Sequence, residues 1–293
     1  MTTSESQIVQ GAVRKPRDSE IDVFGLTHPG KVRKSNQDHF LICSLNRRVD
    51  IHFSSLPEKA QPADPGQRLA FLAMVADGVG GSAMGEEASR EALQRITRYI
   101  TGSIDCYYTA DSADDSAFAN ALEQAAMQVH TDLIEASQAD ADRRGMATTL
   151  TLWLGAWPRA YLVHVGDSRC YLMRDGQLTQ ISRDQTMAQE LIDLGVLKRS
   201  DAAGSRWASM LSSSIGGSQS APVVTRMDQQ WGDVGVLCSD GLTRHVPDER
   251  IKERLAAMTS SRQACEALLQ DALDAGGGDN ITIVVGRTLR GGD

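Results

Sequence analysis

Apolar positions along the chain switch between the two-residue spacing of strands and the three-to-four-residue spacing of helices, and each switch marks an element. Ile21-Asp22-Val23-Phe24-Gly25-Leu26 and Phe40-Leu41-Ile42-Cys43 read as short strands bounded by turn residues, with a poorer candidate over Val49 to Phe53. Leu69 to Ala76 is the longest unbroken apolar run; too short for a typical helix and ending at Asp77-Gly78, it reads as a buried strand. Helical spacing comes next. Ala88, Ala92, Leu93, Ile96 and Ile100 make one apolar stripe, and Phe118, Leu122, Ala125, Val129 and Leu133 a second. Strands return over Thr148 to Trp157, Ala160 to Val165 and Arg169 to Met173, the last closing on an Arg174-Asp175-Gly176-Gln177 hairpin turn. A short helix over 186–194 capped by Gly195, a Ser/Gly-rich mobile loop over 204–220 and a strand from Val234 to Ser239 come after these. Helices over 248–257 and 262–274 and a strand from Ile281 to Val285 complete the order.

Strands, two helices, strands, a loop region, a strand, two helices and a strand do not make the alternating βαβ pattern of a parallel sheet. The economical solution is an α+β fold: a four-layer α/β/β/α sandwich of two antiparallel sheets flanked by helix pairs. Residues 1–18 are polar and aperiodic and read as a flexible tail, residues 19–290 as one domain. Pro57, Pro62 and Pro65 mark 54–67 as a surface insertion within it.

Composition narrows the function. Thirty Lys+Arg against 38 Asp+Glu leave a net charge of −8, and aromatics make up only 5% of residues, so a nucleic-acid partner is not expected. No apolar run approaches the roughly 20 residues of a membrane span, and the N-terminal stretch has no secretory apolar core, so a cytoplasmic protein is expected. The five cysteines are widely spaced and form neither a CxxC pair nor a Cys-x5-Arg loop with a glycine-rich cradle, which argues against a disulfide framework, a zinc ribbon and a cysteine-nucleophile phosphatase.

The informative residues are four aspartates. Asp77 and Asp240 lie just after strands, and Asp38 and Asp279 just before them. If 40–43 pairs with 69–76 and 234–239 with 281–285, both antiparallel, all four carboxylates reach one rim. Clustered like charge is costly without a counter-ion, and an all-oxygen set favours Mg²⁺ or Mn²⁺ over Zn²⁺. Gly78 and Gly241 remove side chains beside the acids, so that backbone can approach an ion, and Gly78 can offer its carbonyl.

Arg33-Lys34-Ser35-Asn36-Gln37-Asp38, Asp77-Gly78-Val79-Gly80-Gly81, Met146-Ala147-Thr148-Thr149, Gly166-Asp167-Ser168-Arg169, Ser239-Asp240-Gly241-Leu242 and Gly278-Asp279-Asn280 stand in the order expected of metal-dependent serine/threonine protein phosphatases of type 2C. From about residue 20 to 287 the chain resembles the compact bacterial branch of that family. The resemblance implies hydrolysis of phosphoserine or phosphothreonine on protein substrates by in-line attack of a water bridging two Mn²⁺ or Mg²⁺ ions. It implies Asp77 on both ions, Asp38 and the Gly78 carbonyl on one, Asp240 and Asp279 on the other, and Arg33 on the substrate phosphoryl group. A third ion is also implied for bacterial members, through an aspartate near the Met-x-Thr-Thr motif, with Asp142 or Asp140 as candidates. Two departures stand out: Val79 replaces the histidine that many eukaryotic members use as leaving-group acid, a role then left to water, and Gln37 replaces a frequent glutamate.

Other features receive plainer readings. Asp167-Ser168-Arg169 reads as a turn between strands, Glu86 and Glu87 as complements of a helix dipole, and the six histidines as structural, with His39 directed away from Asp38 by alternation. Residues 183–220 correspond to the family's flap, where Arg183, Lys198, Arg199 and Arg206 suit docking of anionic phosphoprotein segments. A serine/threonine kinase or its target is the partner expected. The rival from another class is a catalytically silent phosphoprotein-binding module, whose usual mark is loss of a metal aspartate.

Overall fold

Two antiparallel pairings organise the strands, and both are those the aspartates require: β2 (Asp38–Arg47) with β3 (Gln67–Val79), and β10 (Val234–Cys238) with β11 (Ile281–Thr288). The computed structural model describes residues 14–47, 67–79, 82–109, 115–202 and 205–289. The expected strand over 49–53, the insertion up to residue 66 and residues 1–13 of the tail lie outside the described residues. One sheet has the order β1 (Ile21–His28), β11, β10, β7 (Arg169–Arg174) and β8 (Gln177–Gln180). The other runs β2, β3, β5 (Leu150–Ala156), β6 (Arg159–Val165) and β9 (Val223–Asp228), with the short β4 (Ala147–Thr148) on the end of β3.

The four layers result from side-chain alternation. Helices α1 (Ser82–Thr109) and α2 (Asp115–Ala139) bury Ala88, Ile96, Leu122 and Leu133 against Leu72, Met74 and Leu152 of the second sheet. Three smaller helices come next in the chain: α3 (Met187–Asp193), α4 (Arg199–Ala202) and the single turn α5 (Asp240–Thr243). Helices α6 (Asp248–Ala256) and α7 (Ser261–Asp274) bury Ile251, Leu255, Cys265 and Leu268 against Val236, Cys238 and Ile283 of the first. Between the sheets lie Ala73, Val75, Leu162, Cys170, Leu237 and Val284. The expected α/β/β/α sandwich is the architecture found.

Local expectations fare unevenly. The helix over 186–194 is α3, capped by Thr186 Oγ1 on the Gln189 N–H (3.2 Å) and followed by Gly195 at φ +70°. The β7–β8 hairpin turns on Asp175 (φ +50°) and Gly176 (φ +72°), as two-residue hairpins require. The strand expected over 69–76 instead runs through Asp77-Gly78-Val79, because β4 supplies Thr148 and Ala147 as partners for Gly78 and Val79. Residues 205–220, expected as a loose loop, are pinned: Ile215 is fully buried and exchanges backbone hydrogen bonds with Thr148 (2.9 and 2.8 Å), and the Ser212 N–H donates to the Gln185 carbonyl (2.9 Å).

Candidate metal centre

In β3, Leu72, Met74 and Ala76 point towards the helices while Ala73 and Val75 point between the sheets, so Asp77 continues the between-sheet face to the rim. The same parity aligns Asp38 with Phe40 and Ile42, Ser239 with Leu237, and Thr282 with Val284. Register sets Asp38 directly opposite Asp77. Asp38 is 2% exposed, and its Oδ2 accepts from Ser239 Oγ (2.6 Å) and Thr282 Oγ1 (2.8 Å) of the facing sheet. One carboxylate is thus gripped by both sheets.

The backbone of Asp77 is held from both sides. Its N–H donates to Thr149 Oγ1 (2.9 Å), and its carbonyl accepts from Thr148 Oγ1 (2.8 Å) and the Thr149 N–H (2.9 Å). These bonds are the physical use of the two threonines of the Met146-Ala147-Thr148-Thr149 motif. Asp240 opens α5 straight after β10, and Asp279 stands two residues before β11. Buried Asn280 ties the 29–37 segment to that strand: its Oδ1 accepts from the Gln37 N–H (2.9 Å), and its Nδ2 donates to the carbonyls of Pro29 (3.0 Å) and Ser35 (2.9 Å). Arg33 is thereby delivered to the rim, where its Nε and Nη2 donate to the two oxygens of Asp279 at 2.8 and 2.9 Å.

Both acid-flanking glycines answer to backbone contacts. A Cβ on Gly78 would collide with the Gly85 carbonyl of α1, and one on Gly241 with the Asn280 carbonyl. At both positions the missing side chain admits neighbouring backbone, that of Gly85 in α1 and of Asn280 before β11.

Burial and mutual repulsion show in the proton affinities. Burial pushes Asp77 well above the usual carboxylate range, and Asp38, Asp240, Asp167 and Asp279 push it further. Burial pushes Asp38 up to about 6 against its two hydroxyl hydrogen bonds, and Asp167 up to about 7, with Asp240 and Asp184 adding to the rise. Asp240 is also raised by burial, opposed by Arg244. Asp38 Oδ1 is buried without any hydrogen-bond partner. An orphaned carboxylate oxygen among acids, in an all-oxygen donor set, fits a hard divalent cation. Among the described residues no three of these groups already stand around a common point. Arginines stand among them instead: Arg33 on Asp279, and Arg244 on both Asp240 and Asp279, the latter at 3.1 Å.

Sequence reasoning missed Asp167 and Arg244. Asp167, read as part of a turn, belongs to the acidic cluster, while its neighbours are structural: Ser168 Oγ bonds Thr149 Oγ1 (2.8 Å), and Arg169 grips Asp184 through Nε (2.9 Å) and Nη2 (2.7 Å). Asp140 Oδ1 accepts from the Asp142 N–H (3.0 Å), an exposed turn-stabilising bond. Glu87 pairs with Arg143 (2.6 Å) on the helix layer. His39 Nδ1 meets Ser89 Oγ (2.9 Å) on the helix side, away from the rim. The clue to Asp167 lay in Gly166, whose φ of +106° and close approach to Thr149 bring the β6–β7 turn onto the Asp77 anchor.

Residues 63–275 match the family model described as Protein phosphatase 2C. Over 219 residues, 74% of this chain, the sequence is 37% identical to the serine/threonine protein phosphatase PstP of Mycobacterium tuberculosis, and spans 40% of that protein's length. It is 29% identical to the serine/threonine phosphatase stp of Listeria monocytogenes over 215 residues, covering 73% of this chain and 83% of that one. The crystal structure of the PstP catalytic domain in complex with two manganese ions superimposes with a TM-score of 0.70 at 30% identity, over 92% of this chain and 99% of that chain.

Proposed function

The chain belongs to the protein phosphatase 2C family, and from that premise we propose that it is a metal-dependent phosphatase of phosphoserine and phosphothreonine in proteins. The observation that carries the reading is the convergence of Asp38, Asp77, Asp240 and Asp279 on one rim, with Asp38 Oδ1 left unpartnered. In this reading Asp38, Asp77, the Gly78 carbonyl, Asp240 and Asp279 would hold two Mn²⁺ or Mg²⁺ ions, and Asp167 is the acid available to a third. Such ions, when bound, supply a water of lowered pKa and neutralise phosphoryl charge. The protein's own part is positional. The hydroxyls of Ser239 and Thr282 orient Asp38, Thr148 and Thr149 fix the Asp77 backbone, and Asn280 holds the 29–37 segment so that Arg33 stands at the rim, its fork on Asp279 until that carboxylate turns to an ion and the guanidinium to a phosphoryl group. Val79, 37% exposed, offers no proton beside Gly78, so the leaving oxygen takes its proton from water.

Residues 19–290 are read as the unit that carries this activity, with 54–67 as an insertion and 183–220 as the substrate-facing flap; the tail expected over 1–18 is corrected at its end, where Pro16 is buried and Arg14 donates to both oxygens of Glu20 (2.9 and 2.8 Å). Phosphoproteins are the substrate class, and a serine/threonine kinase or its target is the partner this chemistry serves. The site of action proposed is cytoplasmic; no helix among the described residues is long and apolar enough to cross a membrane.

The test is hydrolysis of a phosphothreonine peptide against Mn²⁺ concentration, with EDTA and Asp240→Asn as controls. Metal-dependent turnover abolished by both is the expected result. A folded sample without turnover at any Mn²⁺ concentration would favour the silent binding module.

A further inference from the structure

We propose that Arg244 is an internal counter-ion that competes with divalent cations for the Asp240 and Asp279 carboxylates and thereby lowers the metal affinity of the centre. The inference rests on the metal reading above. Helix α5 is a single turn, so the residue four positions after Asp240 folds back over it. Arg244 Nη2 pairs with Asp240 Oδ2, and Nη1 donates to Asp279 Oδ2 at 3.1 Å. One guanidinium therefore bridges the acids at the ends of β10 and β11.

Its backbone is anchored while its side chain is free to leave. The Arg244 N–H donates to the Asp240 carbonyl (2.9 Å), and the next residue, His245, accepts the Gly278 N–H on Nε2 (2.9 Å), clipping α5 to the loop before Asp279. The Arg244 side chain is 43% exposed, against 13% for Asp240 and 20% for Asp279. When a divalent ion takes these oxygens, the guanidinium can swing into water, whereas the carboxylates cannot. Arg33 differs: it comes from the 29–37 segment, and its hydrogen bonds among the described residues go to Asp279, with Asp240 and Asp77 acting on it through charge alone.

The bridge has two opposing effects. Arg244 offsets repulsion between the acids, which favours a preformed site, and it repels an incoming doubly charged ion, which disfavours loading. The repulsion wins, because the ion brings twice the charge of the guanidinium and offsets the same carboxylate repulsion itself. Solvent exposure limits the net effect to roughly three- to tenfold in affinity.

Isothermal titration of the chelator-stripped, dialysed full chain with Mn²⁺ alone tests this in wild type, Arg244→Gln and Arg244→Lys, with Arg244→Ala as a second neutral variant. The neutral variants should bind Mn²⁺ with a Kd lower by roughly three- to tenfold, and Arg244→Lys, which keeps the charge, should stay within about twofold of wild type. Without metal the neutral variants should melt below wild type, and Mn²⁺ should raise their melting temperatures further. Equal or weaker Mn²⁺ binding by the neutral variants overturns the proposal, as does equal tightening by lysine. A wild-type chain that takes up no Mn²⁺ overturns the metal reading and this inference together, whereas wild-type uptake with unchanged neutral variants overturns this inference alone.

Discussion

Asp38 shows how much one side chain decides. Its Oδ2 is saturated by two hydroxyls and its Oδ1 has no partner, so the residue is fixed through one oxygen and available through the other. Thr282→Val keeps the volume but removes one of those hydroxyls, and should cost about 1–2 kcal/mol of stability, read by urea denaturation. Asp240→Asn should lower phosphopeptide turnover by roughly a hundredfold or more while the far-UV circular dichroism stays unchanged; retained turnover would remove Asp240 from the centre. Arg33→Ala should chiefly raise KM, since its fork meets phosphate in the ground state as in the transition state. Residue identity was legible for the rim acids because strand pairing brings Asp38 opposite Asp77. It failed for Asp167 because a Gly-Asp-Ser turn looks alike in any hairpin, and only the contact of Gly166 with Thr149 reveals which way it faces. Asp140 and Asp142 were drawn in by closeness in sequence to the threonine pair, and there one oxygen of Asp140 caps a short turn.

Elements differ in how openly they declare themselves. β3 and β5 were legible because both faces are buried and the apolar run is continuous. β8 and β9 lie at sheet edges, each half exposed and mixed in polarity; β8 was implied only by the hairpin turn before it, and no strand was expected for β9. The end of β3 was misjudged for a related reason: Asp77-Gly78 resembles a turn until β4, only two residues long, pairs with Gly78 and Val79. That extension brings the strand under the start of α1, where Gly78 and Gly85 touch backbone to backbone. Gly78→Ala should force the helix off the strand and cost about 1–3 kcal/mol, measurable as a lowered melting temperature without added metal. An unchanged melting temperature would mean that α1 does not sit as closely as described.

Across the whole molecule, charge and burial set a dependence on pH. His164 is 2% exposed; its Nε2 donates to the Arg183 carbonyl (3.1 Å) and its Nδ1 meets Thr151 Oγ1 (3.0 Å), and burial holds its pKa near 4, below the ordinary 6.5. Above pH 6.5 the ring is neutral whether the chain is folded or not, and nothing is lost. Below it the unfolded chain takes the proton first, so the contribution of this ring falls between pH 6.5 and about 4, while Asp38 and Asp167, raised to about 6 and about 7, take protons first in the folded chain and act in the opposite sense. The loss should reach no more than about 3 kcal/mol. Histidine ring NMR should place the His164 midpoint near 4, and a midpoint near 6.5 would refute the assignment. The sheet order also bears on synthesis. β11, from the far end of the described chain, lies between β1 and β10, so the earliest of these strands to be made must wait for the latest. At about 5–20 residues per second, that wait is roughly ten seconds to a minute on the ribosome. Asp279 arrives just ahead of β11, so the rim is complete only once that strand has emerged, and until then the backbone groups of β1 that pair with β11 have no strand to bond.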